Sequence, residues 1–211
     1  MENSQVDEDH YKNNYDQLPR WVSYYLQINI VRELKCDKIL EIGMGNGLVS
    51  TYLKCQGLNV TTCDFDKSLK PDIVGDIRKL PFKKDNFDCI CACEILEHIH
   101  YSDFETSLKE LKRVSSKYVI ISLPSPGLYF SLNFRFNGLK RLFKKELITL
   151  GFNIPPFYKN KNFDGQHWWE IGHKNYPLKK IVKDITKHFS IEKKFKNPIV
   201  PYHTFFLLRV K

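Results

Sequence analysis

The sequence predicts an α/β fold: a doubly wound, mainly parallel sheet of about seven strands with an insertion after the fifth strand. Three observations support this. Short apolar segments alternate with helical ones, a glycine-rich turn follows the first buried strand, and 211 residues with 42% hydrophobic residues suffice for one substantial core. We expect a disordered tail over residues 1–16 and a single domain over residues 17–211, with the insertion at about residues 125–174.

The elements follow in a regular order. Helices are expected where apolar residues recur every three or four positions, over residues 18–34, 48–56, 104–116 and 176–189. Strands are expected over residues 36–43, 58–64, 71–76, 87–96 and 117–126, followed by a terminal pair at 190–196 and 202–210. Strands that alternate with helices predict a parallel sheet with helices on both faces. The terminal strands are close enough in sequence to pair in antiparallel fashion.

Composition and charge restrict the location and the partners. The acidic, polar start differs from a signal peptide, and no apolar run approaches the roughly 18 residues of a membrane span. Cys89, Cys91 and Cys93 alternate along one predicted strand, as buried small side chains in a reducing compartment would. We therefore expect a cytoplasmic protein. The net charge of +9 is concentrated in residues 128–211, which hold 17 bases and five acids, and this surplus suggests an acidic partner.

The turn E-I-G-M-G-N-G, residues 41–47, lies between a buried strand and a helix. Glycines in this position let the backbone approach a ligand closely. A dinucleotide-binding turn requires G-x-G-x-x-G, but Leu48 occupies the third glycine position. Glu41 suits a cationic amino group better than a pyrophosphate. The turn therefore favours a nucleoside with an amino-acid chain over NAD.

With these residues the sequence resembles the class I S-adenosylmethionine-dependent methyltransferases, closely over residues 35–123. The resemblance implies that S-adenosyl-L-methionine is the cofactor and that the glycine turn packs against its methionine part. It implies that Asp64 binds the ribose hydroxyls, although Asp66 is a second acid nearby. In G-D-I-R-K-L-P-F the resemblance places Asp76 and Ile77 at the adenine. The full set of implied cofactor residues is Glu41, Gly43, Gly45, Gly47, Asp64, Phe65, Asp76, Ile77 and Glu94.

A second motif, E-I-L-E-H at residues 94–98, follows the fourth strand. It resembles a motif that holds a divalent cation in ubiquinone-pathway O-methyltransferases and in small-RNA terminal-ribose methyltransferases. Similar pairs in metal-free relatives only cap and pack the turn. We expect no metal and name Glu94, Glu97 and His98 as the candidate ligands if one is bound. His98 is also a candidate catalytic residue.

The insertion contains Q-H-W-W-E-I-G-H, residues 166–173. His167 is the best candidate for a general base because histidine titrates near neutral pH, and His173 is a weaker candidate. The adjacent tryptophans, Trp168 and Trp169, either wall the acceptor or close a lid. A base is needed only if the acceptor must lose a proton, because methyl transfer from a sulfonium depends mainly on alignment in a dry site.

The basic, aromatic part of the insertion has three interpretations. From Leu139 to Leu150 the apolar residues line one side of a predicted helix, with lysines and an arginine around it. This helix is a lid, a peripheral membrane contact through residues 128–150, or a nucleic-acid contact. No RNA-binding module signature favours the last.

We expect methyl transfer to an oxygen or nitrogen of a small or medium, acidic acceptor. An RNA methyltransferase and an inactive cofactor-binding partner subunit remain open alternatives. The sequence does not determine the oligomeric state.

Overall fold

The computed structural model describes residues 17–135, 147–154, 166–197, 199 and 201–211. The predicted tail, residues 1–16, lies outside the described residues, as do parts of the insertion. The helices are α1 (Leu18–Leu34), α2 (Leu48–Cys55), α3 (Phe104–Val114) and α4 (Leu178–Thr186). The strands are β1 (Lys38–Ile42), β2 (Asn59–Asp64), β3 (Ile73–Val74), β4 (Phe87–Cys93), β5 (Ser115–Pro124), β6 (Leu128–Arg135), β7 (Leu147–Ile154), β8 (Phe189–Lys196) and β9 (His203–Val210).

Seven strands form the central sheet in the order β3-β2-β1-β4-β5-β9-β8. The first five strands of the chain run parallel, and β9 pairs antiparallel with both β5 and β8. The predicted α/β class, the mainly parallel sheet of seven strands and the antiparallel terminal pair are confirmed. Within the described helices, none is both long and apolar enough to cross a lipid bilayer.

The sheet separates two apolar cores. Leu108 and Leu111 of α3 pack with Ile181 and Ile185 of α4 on one face. On the other face, Val31 of α1 and residues of α2 pack against β1, β2 and β4. Strands buried on both faces require nearly continuous apolar sequence, which β4 and β5 have. Helices on both faces of the sheet are therefore confirmed.

Strands β6 and β7 form a separate antiparallel hairpin that the sequence analysis did not predict. Residues 147–150 of the expected helix from Leu139 to Leu150 lie in β7, so that part of the prediction is wrong. Residues 139–146 of that helix lie outside the described residues. The register pairs Ile148 with Phe134 and Leu150 with Leu132. A short apolar sequence that contains β-branched residues, as residues 147–150 do, can form either a strand or a helix. Here these residues form a strand because they pair with β6.

Candidate active site

A cavity of about 460 Å³ opens at the carboxyl ends of β1, β2 and β4. In open α/β sheets this edge binds ligands where the strand order reverses, and here β1 lies between β2 and β4. Helix α1 contributes four polar or aromatic side chains to the wall, Arg20, Ser23, Tyr24 and Gln27. Most of the predicted cofactor residues line the same cavity: Glu41, Gly43, Gly45, Asp64, Phe65, Asp76, Ile77 and Glu94.

The glycine turn is held in a conformation that needs glycine. Gly43, Gly45 and Gly47 all have positive φ, of 73°, 54° and 71°. A Cβ on Gly43 would lie 2.5 Å from Cδ1 of Ile95, which also lines the cavity. Gly47 precedes the first residue of α2 and is not among the residues that line the cavity. Gly47 therefore allows the turn to adopt its backbone conformation and does not contact the cavity.

Glu41 is a buried carboxylate in the cavity wall. It is 6% exposed, and its Oε2 has no hydrogen-bond partner among the described residues. Burial raises the pKa of Glu41 to about 7, although hydrogen bonds from Ser50 oppose this. An unpaired buried carboxylate oxygen is costly unless a ligand pairs with it. The residue thus fits a cationic group.

Asp64 lies at the end of β2 and is oriented by the backbone. Its two oxygens accept hydrogen bonds from the amides of Met44 and Asp66, both at 2.9 Å. Burial nevertheless raises the pKa of Asp64. Asp66 instead caps the next turn, where its carboxylate accepts from the Ser68 amide at 2.8 Å. Both acids line the cavity, and Asp64 is the more buried of the two.

The predicted adenine residues differ from expectation in one respect. The Asp76 carboxylate is already engaged by the Arg78 guanidinium at 2.7 Å, and Arg78 also contacts Asp103. Although burial opposes it, hydrogen bonding to Arg78 leaves the pKa of Asp76 lowered. Phe65 is about half exposed and Ile77 is buried. Together they form an apolar wall that a flat ring can contact.

The cavity wall also holds two neighbouring imidazoles. The ring centroids of His98 and His167 are 5.0 Å apart. His98 Nδ1 lies 3.0 Å from the backbone oxygen of Gln166, and His167 Nδ1 lies 2.7 Å from the buried carboxylate of Glu170. Both rings are therefore held through Nδ1. His98 and His167, the two candidate catalytic residues, come together from segments 69 positions apart.

Glu170 is a residue that the sequence analysis did not single out. It is 5% exposed, and its second oxygen lies 3.2 Å from His173 Nε2. The Tyr202 hydroxyl donates to it at 3.4 Å. His173 is buried and does not line the cavity, so its contact with Glu170 is structural. Glu170 thus joins His167 and His173 to Tyr202, the residue that precedes β9.

Glu94 and Glu97 have different surroundings. Glu94 pairs with His203 at 2.9 Å and accepts from Ser122, and His203 keeps the pKa of Glu94 low despite burial. Glu97 is fully buried, and neither of its oxygens has a hydrogen-bond partner within the described part of the chain. Burial and the neighbouring Glu94 raise its pKa well above the usual range.

Ligand atoms of Glu97, His98 and His167 lie within 4.8 Å of one another. This trio differs from the predicted candidate set, because His167 takes the place of Glu94. One carboxylate and two imidazoles are a donor set that first-row divalent metals accept, whereas Mg²⁺ prefers oxygen alone. An unpaired buried carboxylate beside two histidines fits a cation.

The two tryptophans have separate roles. Trp169 is fully buried, donates from its indole nitrogen to the Ile99 carbonyl, and packs edge-on against Phe104. Trp168 is half-buried over the ring of His100. Neither lines the cavity, so among the described residues the pair closes the core rather than the acceptor wall.

Comparison with known proteins agrees with this geometry. Residues 40–121 match the family model described as "Methyltransferase domain". Over these residues the chain is similar to methyltransferase domains. Over 87 residues the chain is 30% identical to demethylmenaquinone methyltransferase of Corynebacterium glutamicum. This match covers 37% of the present chain and 37% of the relative. The chain thus spans well under half the length of this curated relative.

Solved structures resemble the fold over nearly the whole chain. The PH0226 protein of Pyrococcus horikoshii has a TM-score of 0.63 at 15% identity, covering 98% of this chain and all of the other. The 1,6-didemethyltoxoflavin-N1-methyltransferase of Burkholderia thailandensis has a TM-score of 0.61 at 14% identity, covering 96% and 84%. That structure contains bound 1,6-didemethyltoxoflavin and S-adenosylhomocysteine. The chain therefore has the fold of these solved structures.

The glycine turn provides a stability prediction. Gly43→Ala and Gly57→Ala both place alanine at positive φ, which costs about 1–2 kcal/mol. A Cβ at Gly57 meets nothing within 4 Å, whereas at Gly43 it displaces Ile95. We expect Gly43→Ala to lower the free energy of unfolding by about 1 kcal/mol more than Gly57→Ala, measured by urea denaturation. Equal losses would show that Ile95 moves without cost.

Proposed function

We propose that the chain is a methyltransferase that uses S-adenosyl-L-methionine and methylates an oxygen or nitrogen of a small or medium acceptor. One observation carries the proposal: a single cavity joins the glycine turn and the buried acids Glu41 and Asp64 to the two imidazoles of His98 and His167. The first group suits the cofactor and the second suits the acceptor.

The cofactor assignments follow from the chemistry of each wall. The unpaired oxygen of Glu41 suits the cationic amino group of the methionine part, beside Gly43 and Gly45. Asp64 is an acceptor for two ribose hydroxyls. Phe65 and the Ile77 segment flank the adenine, with Asp76 beside them. Glu94 lies at the cofactor's edge, where His203 keeps it ionised.

The transfer itself asks little of the protein. The cofactor, when bound, supplies a methyl group on a sulfonium, which is a good leaving group. The chain's residues align the acceptor with it and exclude water. If the acceptor is a hydroxyl, its proton passes to Nε2 of His167, because Nδ1 is held by Glu170. Arg20 in the cavity wall and the basic surplus of residues 128–211 support an acidic acceptor.

The first prediction concerns cofactor binding and pH. Glu41 is protonated below about pH 7 and ionised above it, and only the ionised form attracts the ligand's ammonium group. We expect the affinity for S-adenosylhomocysteine, measured by calorimetric titration, to rise as pH increases from 5.5 to about 7 and then to level off. Glu41→Gln should weaken binding and flatten this rise, while the exposed Glu192→Gln should change neither.

The same titration tests the function as a whole. Micromolar binding of S-adenosylhomocysteine but not of NAD supports the proposed cofactor. Binding without transfer of labelled methyl to any screened acceptor would favour the partner-subunit alternative. An unchanged pH profile in Glu41→Gln would contradict the role given to Glu41 alone.

A further prediction concerns the orientation of His167. Because Glu170 accepts from Nδ1, neutral His167 should be in the Nδ1–H tautomer, which places the lone pair on Nε2. Histidine nitrogen chemical shifts measured by NMR report this tautomer directly. Glu170→Gln should shift His167 toward a mixture of tautomers, while His188→Gln, which changes a histidine beside Glu105, should leave it unchanged. A Nδ1–H population that survives Glu170→Gln would remove Glu170 from this role.

The Glu97 cluster supports a second, metal-assisted form of the same function. Glu97, His98 and His167 would hold a divalent cation, which when bound would lower the pKa of an acceptor hydroxyl. The observation that favours it is the buried Glu97 carboxyl, which has no partner among the described residues.

Metal binding is testable without knowing the acceptor. After removal of metals by chelation, we expect Co²⁺ to bind with micromolar affinity and to give the visible absorption of a site with nitrogen and oxygen ligands. Glu97→Gln should weaken binding at least tenfold. His173→Gln, which changes a buried histidine outside the cluster, should not. If Glu97→Gln binds Co²⁺ as tightly as the parent protein, or if the parent protein binds no Co²⁺, the metal site is contradicted. His167 would then act as a base without a metal.

A further inference from the structure

The β6–β7 hairpin presents a continuous apolar face to solvent. Residues that face each other across an antiparallel pair lie on the same side, and the register opposes Leu128 to Ile154 and Leu132 to Leu150. Phe130 and Phe134 share this side through the period of two along β6. All six side chains are at least 41% exposed: Leu128, Phe130, Leu132, Phe134, Leu150 and Ile154.

The other face of the hairpin is attached to the body of the domain. Tyr129 lies on that face, and its hydroxyl donates to the Ser125 carbonyl and contacts the Lys196 ammonium. Lys196 also donates to Ser125 Oγ at 2.7 Å and lies over the Tyr129 ring. These contacts attach the start of the hairpin to the domain through the side opposite the apolar face, whereas Ser131 and Asn133 further along β6 are exposed. Contiguous exposed patches of this kind mark an interaction surface, whereas single exposed apolar residues do not.

The charge of the segment selects the kind of partner. Residues 128–154 contain five lysines and arginines and one acid, and four of these bases lie in the stretch 136–146 that connects the two strands. Two copies of this segment brought face to face would repel each other, whereas an anionic surface would be attracted. Four of the six exposed side chains are aliphatic and offer no ring for stacking on nucleic-acid bases. Leucine and isoleucine suit the hydrocarbon edge of a lipid layer.

We propose that the outer face of the β6–β7 hairpin docks on an anionic lipid bilayer. The apolar side chains enter the boundary between head groups and acyl chains, and the neighbouring bases attract the anionic head groups. Because the hairpin begins just after Ser125, whose amide donates to the carbonyl of Tyr202 in the cavity wall, docking brings the acceptor side of the cavity close to the bilayer. The proposal concerns the surface alone and holds whatever the cavity methylates.

The test is cosedimentation of the full chain with vesicles. We expect binding to vesicles of phosphatidylcholine with 30% phosphatidylglycerol, and at least tenfold weaker binding to phosphatidylcholine alone or at 0.5 M salt, which screens the charges. The double variant Phe130→Ser, Leu132→Ser removes two apolar side chains from the face and should lower the partition coefficient at least tenfold. Tyr52→Ser, at a similarly exposed position on α2, is the matched control and should bind like the parent.

Several outcomes would overturn the proposal. Equal vesicle binding by the parent and the double variant would show that the hairpin is not the contact, and no binding to anionic vesicles would dispose of the bilayer. A dimer in sedimentation equilibrium without lipid, lost in the double variant, would assign the face to a second copy instead. Tighter binding to single-stranded RNA than to vesicles, lost in the same variant, would assign it to nucleic acid. Thermal unfolding of each variant shows whether it folds, and further serine substitutions at Leu128 and Ile154 replace any that does not.

Discussion

The site depends on the reversal of strand order at β1. Because β2 lies on one side of β1 and β4 on the other, the connections that leave β1 and β4 diverge and open a cleft at their carboxyl ends. The glycine turn lines one side of this cleft, and the segment after β4 lines the other. The residues that line the cavity belong to the carboxyl ends of β1, β2 and β4, to the connections that follow the first four strands, or to helix α1 and the segments around His167 and His203.

The same arrangement places acidic side chains at positions where they do not stabilise the fold. Glu41 and Asp64 are desolvated at strand ends, and Glu97 is buried without a partner among the described residues. Burying a carboxyl in this way costs stability unless a ligand compensates. Positions where a chain departs from the rules of stable packing are commonly functional. Here Glu41 and Asp64 line the cavity, and Glu97 lies beside the two imidazoles of its wall.

The sequence predicted those parts of the structure that produce a pattern within a few consecutive residues. The strands β1 to β5, the glycine turn and Asp64 each carry a signal within a few residues. His203 and Tyr202 were missed because their positions depend on the pairing of β9 with β5, a contact between distant segments. Glu170 was missed although the two histidines that it contacts, His167 and His173, are each three positions away in the sequence. The β6–β7 hairpin was missed for a different reason. Leu128, Phe130, Leu132 and Phe134 alternate with polar residues, a strand signal that the helical spacing further along obscured.

The antiparallel direction of β9 has a further consequence. Because β9 runs antiparallel to β5, it begins at the edge of the sheet where β5 ends. His203 and Tyr202, at the start of β9 and just before it, therefore lie at the cavity, and His203 pairs there with Glu94. During synthesis on the ribosome, β1 to β5 emerge long before this strand. The first half of the chain can therefore form its parallel sheet with the cleft still open on one side. The pocket acquires its last wall only after β9 has been made, so competence to bind is reached late in the life of the nascent chain.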